Sequence, residues 1–270
     1  MHTSVTRLQR CLAAARPAYG TWAQMASPEF CEIASAAGMD FVIVDMEHGS
    51  FGIDVAVNMI RAVQLGGAAP FVRVPSADRV HIFKALDAGA HAVLVPNVDT
   101  PEMAAEIVQA SHHSPRGNRG ACPCTRANAH GVMEWKSYLT HSQETVKVAV
   151  LIETPLGIQN FEKIVAVPGI DIVALGPFDL SQAMGLDGDW KHPDVQRKQA
   201  ELVGIARDKG VHVMMSVFDS DPDSLREQCD RWQAIGADMI AVSGDRFMLS
   251  TGFKGIVSAL SNGGSTPAQP

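Results

Sequence analysis

Two acidic residues stand where metal or acid–base chemistry would use them. In Val146-Lys-Val-Ala-Val-Leu-Ile-Glu153 and in Asp171-Ile-Val-Ala-Leu-Gly-Pro-Phe-Asp179, an unbroken aliphatic run leads up to a carboxylate. Such runs are the pattern of strands buried on both faces. Parallel α/β folds bind ligands at the carboxyl ends of their strands, so Glu153 and Asp179 are candidates to converge on one metal ion. Each acid also has a capping role open to it. Glu153 precedes a helix starting near Pro155, and Asp179 precedes a short helical turn over Leu180–Met184.

The other candidate strand ends carry Trp22, Asp45-Met-Glu47-His48, Arg73 and Pro96-Asn97. Buried charge is costly unless it is paired or metal-bound, so this concentration of Asp, Glu, His and Arg points to a functional site. Two carboxylates with otherwise oxygen ligands suit a hard divalent cation, Mg²⁺ or Mn²⁺ before Co²⁺ or Zn²⁺. Positions left open would take water and a chelating substrate. His48 ordinarily titrates near neutrality and is the candidate general base, although with Gly49 it could simply close a strand-to-helix turn. Arg73 is permanently cationic and forked. It suits an enolate or carboxylate oxygen, or a structural ion pair with Asp45 or Glu47.

The elements that must hold these residues follow from the alternation of apolar runs and amphipathic segments. Eight strands are expected at Tyr19–Ala23, Phe41–Asp45, Pro70–Val74, Ala92–Pro96, Lys147–Ile152, Ile172–Leu175, His212–Ser216 and Met239–Val242. Helices start at Ser27-Pro28, Thr100-Pro101, Thr154-Pro155 and Asp221-Pro222, a capping side chain followed by proline, and Gly38, Gly89, Gly210 and Gly236 close helices before the next strand. Eight such βα units predict a single-domain α/β fold, a (β/α)₈ TIM barrel over residues 18–260. Residues 1–17 form an N-terminal extension and 261–270 a flexible tail. The long connection Ser111–Ser142 reads as a functional loop followed by a helix through Val132–Tyr138. An open doubly wound sheet is the alternative, but no Gly-x-Gly-x-x-Gly follows any strand.

Composition narrows the partners. The chain has 270 residues, is 46% hydrophobic and carries a net charge of −7, with no Lys/Arg cluster, which disfavours nucleic acid and anionic membranes and points to a small-molecule substrate. No apolar run reaches membrane-spanning length and the N-terminus lacks signal-peptide order, so a cytoplasmic protein is expected. The five cysteines are odd in number and scattered, as in a reducing compartment, and Cys122-Pro-Cys124 lacks the usual zinc spacing. His81 and His91 fall away from the strand carboxyl ends, and His112, His113, His130 and His141 read as solvated.

Taken together, Phe41-Val-Ile-Val-Asp-Met-Glu-His-Gly49, Val72-Arg-Val-Pro75, Leu86-Asp-Ala-Gly-Ala90 with Leu94-Val-Pro96, Ile152-Glu153, and Gly176-Pro-Phe-Asp-Leu-Ser181 with Met184-Gly185 resemble the HpcH/HpaI aldolase family. These motifs run in order over about residues 18–250. The resemblance implies a class II, metal-dependent aldehyde-lyase that reversibly cleaves a 4-hydroxy-2-oxo acid to pyruvate and an aldehyde through a metal-stabilised pyruvate enolate. It implies Glu153 and Asp179 as metal ligands, His48 as base, Arg73 as stabiliser of the enolate, and Asp87 as partner of the histidine across a subunit boundary. Trp22, Gly176, Pro177 and Phe178 would line the substrate pocket. A hexamer of dimers exchanging a C-terminal helix, at about Arg246–Leu260, is also implied. Two positions depart from the family: Leu151 replaces a frequent Gln, and Phe178 a frequent small residue.

Three rival functions make different demands on the chain. A Schiff-base aldolase needs a lysine at the barrel mouth, and none of Lys84, Lys136, Lys147, Lys163, Lys191, Lys198, Lys209 and Lys254 falls at an expected strand end. A coenzyme A thioester lyase of the citrate lyase beta-subunit type would need a basic groove, for which only Arg116, Arg119 and Arg126 are available. A non-catalytic oxo-acid-binding barrel would have no need of a complete set of acid, base and cation.

Overall fold

Period-two alternation along the strands decides what faces the barrel axis. On β2 (Phe41–Asp45), Phe41 and Ile43 point inward while Val42 and Val44 pack against the surrounding helices. In β3 (Ala69–Arg73), Ala69 and Phe71 point inward and Val72 outward, and in β5 (Lys147–Ile152), Ala149 and Leu151 point inward and Val148 and Val150 outward. The computed structural model describes residues 5–262. With β1 (Ala18–Ala23), β4 (Ala92–Val95), β6 (Ile172–Leu175), β7 (His212–Val217) and β8 (Met239–Gly244), these strands close a parallel barrel in sequence order. The expected (β/α)₈ single-domain fold is present. Phe41 and Phe71 meet inside it with ring centroids 5.3 Å apart.

The stretch before the barrel, expected only as an extension, contains a helix, α1 (Arg7–Ala13), started by a Thr6–Gln9 capping box. Its Leu8 and Cys11 are fully buried against the inward-facing barrel residues. Since α1 leads directly into β1, it closes the amino-terminal end of the barrel and leaves the carboxyl end as the open one.

The expected helix starts hold for α2 (Pro28–Ala36), α5 (Pro101–Ser111), α7 (Pro155–Gln159) and α11 (Pro222–Ile235): Ser27, Thr100, Thr154 and Asp221 each accept a backbone N–H from the first turn. Between them run α3 (Ile53–Leu65), α4 (Arg79–Asp87), α6 (Trp135–Thr145), α8 (Phe161–Val165), α9 (Pro177–Ala183) and α10 (Pro193–Asp208). The helix expected over Val132–Tyr138 is displaced. A 3-10 turn occupies Arg126–Gly131, and α6 begins only after Glu134, whose carboxylate accepts the N–H groups of Lys136 and Ser137 at 2.9 and 2.8 Å. The final helix, α12 (Asp245–Asn262), matches the expected Arg246–Leu260 segment and leaves Phe253, Ile256, Val257 and Leu260 exposed on the single chain. Most of the expected tail, residues 263–270, falls outside the described residues. Among the described residues no helix is long and apolar enough to cross a membrane.

Candidate active site

The same alternation that packs the barrel delivers its polar top layer. Asp45 and Arg73 on their strands, and Glu153 one residue past β5, each lie two residues beyond an inward position, and Trp22 near the end of β1 is itself inward-facing. Asp45 and Arg73 are register partners across β2 and β3. Arg73 donates from Nε to Asp45 Oδ1 at 2.8 Å and from Nη2 to Oδ2 at 2.5 Å. Its Nη1 stands 2.9 Å from Glu47 Oε2, and its guanidinium carbon lies 4.6 Å from the centre of the Trp22 ring. The ion-pair reading of Arg73 therefore holds with both acids. Burial alone would raise the Asp45 carboxyl, but the hydrogen bonds and charge of Arg73 outweigh it and hold Asp45 below the usual range. Glu47 goes the other way: burial outweighs the attraction of Arg73 and raises its pKa.

Asp45 also shapes the turn that carries His48. Its Oδ1 accepts the N–H groups of Glu47 and His48 at 3.1 and 3.2 Å, and its carbonyl accepts the N–H of Gly49 at 3.0 Å. A Cβ at Gly49 would fall 2.0 Å from that carbonyl oxygen, so only glycine closes the turn. His48 is exposed at the rim, close to Glu47. Closing a turn and serving as a base are compatible roles for this pair of residues.

Across the mouth, Glu153 is nearly buried, at 9% exposure, and its Oε1 accepts the backbone N–H of Asn97 at 3.2 Å. Asp179 sits in the first turn of α9, which opens with Pro177. Gly176 separates the two acids. A Cβ there would lie 3.1 Å from Glu153 Oε2 and 3.7 Å from Asp179 Oδ2, so both oxygens border one small space that a methyl group would fill. Burial, then the negative charges of Asp179 and Glu47, push Glu153 up to about 7. The capping alternatives are removed: Thr154 caps α7, and the cap position of α9 is Gly176, with no side-chain bond.

Two crowded carboxylates, a shared gap and hard oxygen donors fit a divalent cation. Among the described residues no group of three or more His, Cys, Asp or Glu side chains could hold a metal, so the remaining positions would fall to water and substrate oxygens.

The other candidate residues divide. Trp22 is buried under Arg73, and its indole nitrogen has no hydrogen-bond partner. Phe178 is 54% exposed beside Asp179, and its ring packs over Gly188, where a Cβ would come within 2.8 Å. Leu151 is buried in the barrel interior below Glu153. Asp87 does not join the site within one chain. It ends α4, on the amino-terminal side of the barrel, and is bound by Arg119 Nη2 at 2.5 Å. His112 and His113 are buried rather than solvated: the chain folds back after α5, and His113 packs edge-on to Trp135 and Tyr138. Burial lowers the pKa of both, that of His112 to about 4.

Asn97, one of the expected strand-end residues, acts through its main chain, in a left-handed conformation (φ 54°). Two further contributors lie outside the expected strand-end residues. Gln24 donates its amide to Asp45 Oδ2 at 2.9 Å. Asp245, directly after β8, accepts the N–H groups of Gln24 and Met25 at 2.9 and 2.7 Å. Extending the strand-end rule to β8 would have found the last.

Comparison with known proteins places the chain in a family. A family profile described as HpcH/HpaI aldolase/citrate lyase matches residues 18–243. The 2-dehydro-3,6-dideoxy-6-sulfogluconate aldolase of Pseudomonas putida is 35% identical over 239 residues, covering 87% of this chain and 92% of that protein. A 5-keto-4-deoxy-D-glucarate aldolase of Salmonella paratyphi C (strain RKS4594) is 31% identical over 249 residues, covering 92% and 96%. The crystal structure of an HpcH/HpaI aldolase from Desulfitobacterium hafniense DCB-2 superposes with a TM-score of 0.87 at 26% identity, covering 98% of this chain and 100% of that one. The chain belongs to the HpcH/HpaI aldolase/citrate lyase family and is an enzyme of the lyase class.

Proposed function

We propose that the open end of this barrel reversibly cleaves a 4-hydroxy-2-oxo acid to pyruvate and an aldehyde, with Glu153 and Asp179 holding a divalent cation, Mg²⁺ or Mn²⁺ in the first instance. When bound, that cation supplies Lewis acidity toward the 2-oxo acid. The protein's own groups do the rest. His48 takes the proton from the 4-hydroxyl, directly or through a water, as the C3–C4 bond breaks and the aldehyde carbonyl forms. The electron pair of that bond moves onto the pyruvate fragment as its enolate, which becomes pyruvate when C3 takes a proton, returned from His48 directly or through a water. Arg73, locked by Asp45, faces the negative charge that develops there. Trp22 supports the guanidinium from below, and Gly176, Pro177 and Phe178 form the wall beside Asp179. Asp87 would act in the assembled oligomer, on the histidine of a neighbouring subunit.

The observation that carries this reading is the gap at Gly176, bordered by one oxygen from each acid. Family-level metal dependence and the two aldolases similar to this chain support it. The exposed apolar side chains of α12 are the surface that helix exchange in a hexamer would cover. The test is pyruvate release from 4-hydroxy-2-oxo acids differing in their aldehyde half, after chelation and after Mn²⁺ is restored. Release that needs the added ion supports the assignment. Full activity after exhaustive chelation overturns it.

A further inference from the structure

The first two residues of α12 tie together the loops after β1 and β2. Asp245 is buried, at 1% exposure, and its Oδ2 accepts the N–H groups of Gln24 and Met25 while Oδ1 accepts that of Arg246 at 2.7 Å. Arg246 reaches the other way. Its Nη1 donates to the carbonyl of His48 at 3.1 Å, and its Nη2 to the carbonyl of Gln24 at 3.0 Å and to Ser50 Oγ at 3.3 Å. One planar guanidinium thus spans two loops that are far apart in sequence from α12 and adjacent at the barrel mouth. Its three acceptors are neutral and two are main-chain carbonyls, so the contact fixes backbone position. The Gln24 side chain completes the circuit by donating to Asp45 Oδ2, and Asp45 anchors the N–H of His48.

From these contacts we infer that Arg246 is a positioning residue for His48, holding the turn that presents the imidazole. The inference rests on the proposed role of His48 as base. Arg246 touches neither Glu153 nor Asp179, which leave β5 and enter α9 on other segments of the rim. Its loss should therefore affect turnover and leave cation binding intact. A side chain that keeps one hydrogen bond, such as lysine, should restore part of the rate. Because Arg246 opens α12, the setting of that helix and the geometry of the base are mechanically linked.

The test measures kcat for aldol cleavage and the Kd for Mn²⁺ in the full-length chain and in its Arg246→Ala, Arg246→Lys, His48→Ala and Arg246→Ala/His48→Ala variants. Misplacing a catalytic group by about 1 Å costs on the order of 10²-fold, so Arg246→Ala is expected to lower kcat by about 10- to 100-fold. Mn²⁺ affinity should stay within about threefold of the parent, Arg246→Lys should recover part of the rate, and the double variant should be no slower than His48→Ala. Parental kcat in Arg246→Ala while His48→Ala is slow overturns the inference, as does a double variant in which the two losses multiply. A fall in Mn²⁺ affinity matching the fall in kcat also overturns it, because the effect would then be a general loss of structure. Should Arg246→Ala fail to fold, the same comparisons are made with Arg246→Lys. Parental rates in His48→Ala would remove the base assignment itself, and the positioning role with it.

Discussion

Arg73 grips Asp45 through two parallel hydrogen bonds, Nε to Oδ1 and Nη2 to Oδ2, between residues paired in register on adjacent strands. Both partners are buried, and a bidentate pair of this kind fixes the plane of the guanidinium before any substrate arrives. Asp45→Asn would leave the buried cation with Glu47 as its remaining acidic contact. Breaking a buried pair typically costs about 3–5 kcal/mol, so urea unfolding of the variant should show a stability loss of that order. Turnover should fall together with it. A variant as stable and as active as the parent would show that the pair does not organise the site.

His48 is predicted to be separable from cation binding. His48→Ala should bind Mn²⁺ as the parent does while losing about 10²–10⁴-fold in kcat, the usual range for a positioned base. The paired measurement is Mn²⁺ titration and pyruvate release on one preparation.

Gly176 offers a sharper steric test. Its φ of −82° suits any residue, so alanine adds no backbone strain there, but its Cβ would press 3.1 Å from Glu153 Oε2 and 3.2 Å from Glu153 Cβ. Gly176→Ala should fold normally, with an unchanged melting temperature to within a few degrees, and bind Mn²⁺ at least ~10-fold more weakly. Unaltered Mn²⁺ binding would mean that the space beside Gly176 is not the cation's.

Glu153 makes stability depend on pH in a defined direction. Its carboxyl is raised by burial and by Asp179 and Glu47 to about 7, against 4.5 for the ordinary group. Between those values the folded state holds a proton that the unfolded state has lost, so this group's contribution falls as pH rises and its full penalty is present above about pH 7. The penalty is on the order of 3 kcal/mol. Metal-free protein should therefore lose stability from this source across that window, and Glu153→Gln should flatten the loss. Added Mn²⁺ should offset it at neutral pH. A flat pH profile in the metal-free parent would contradict the crowding of acids at the mouth.

Much of this arrangement is legible in the sequence because strands buried on both faces leave a clear mark. Val148 to Ile152 and Ile172 to Leu175 admit no polar residue, so the acids at or just beyond their ends stand out. Capping followed by proline marks four helix starts equally well. Features set by tertiary packing leave no such mark. The plug formed by Leu8 and Cys11 is too short a pattern to read as a helix. The burial of His112 and His113 follows from a loop folding onto Trp135 and Tyr138. The anchor from Arg246 to His48 joins residues that no local pattern connects. Asp87 likewise pairs with Arg119, a partner 32 residues away that the local pattern around Leu86-Asp-Ala-Gly does not indicate.

The most direct test of the central claim is Mn²⁺ titration, by calorimetry or electron paramagnetic resonance, of the parent chain, Glu153→Gln, Asp179→Asn and the double variant. The parent should bind one ion per chain, each single variant should bind at least ~100-fold more weakly, and the double variant should lose little beyond either. Parental affinity in either single variant would show that the two acids do not share an ion, and the proposed site would fall with that result.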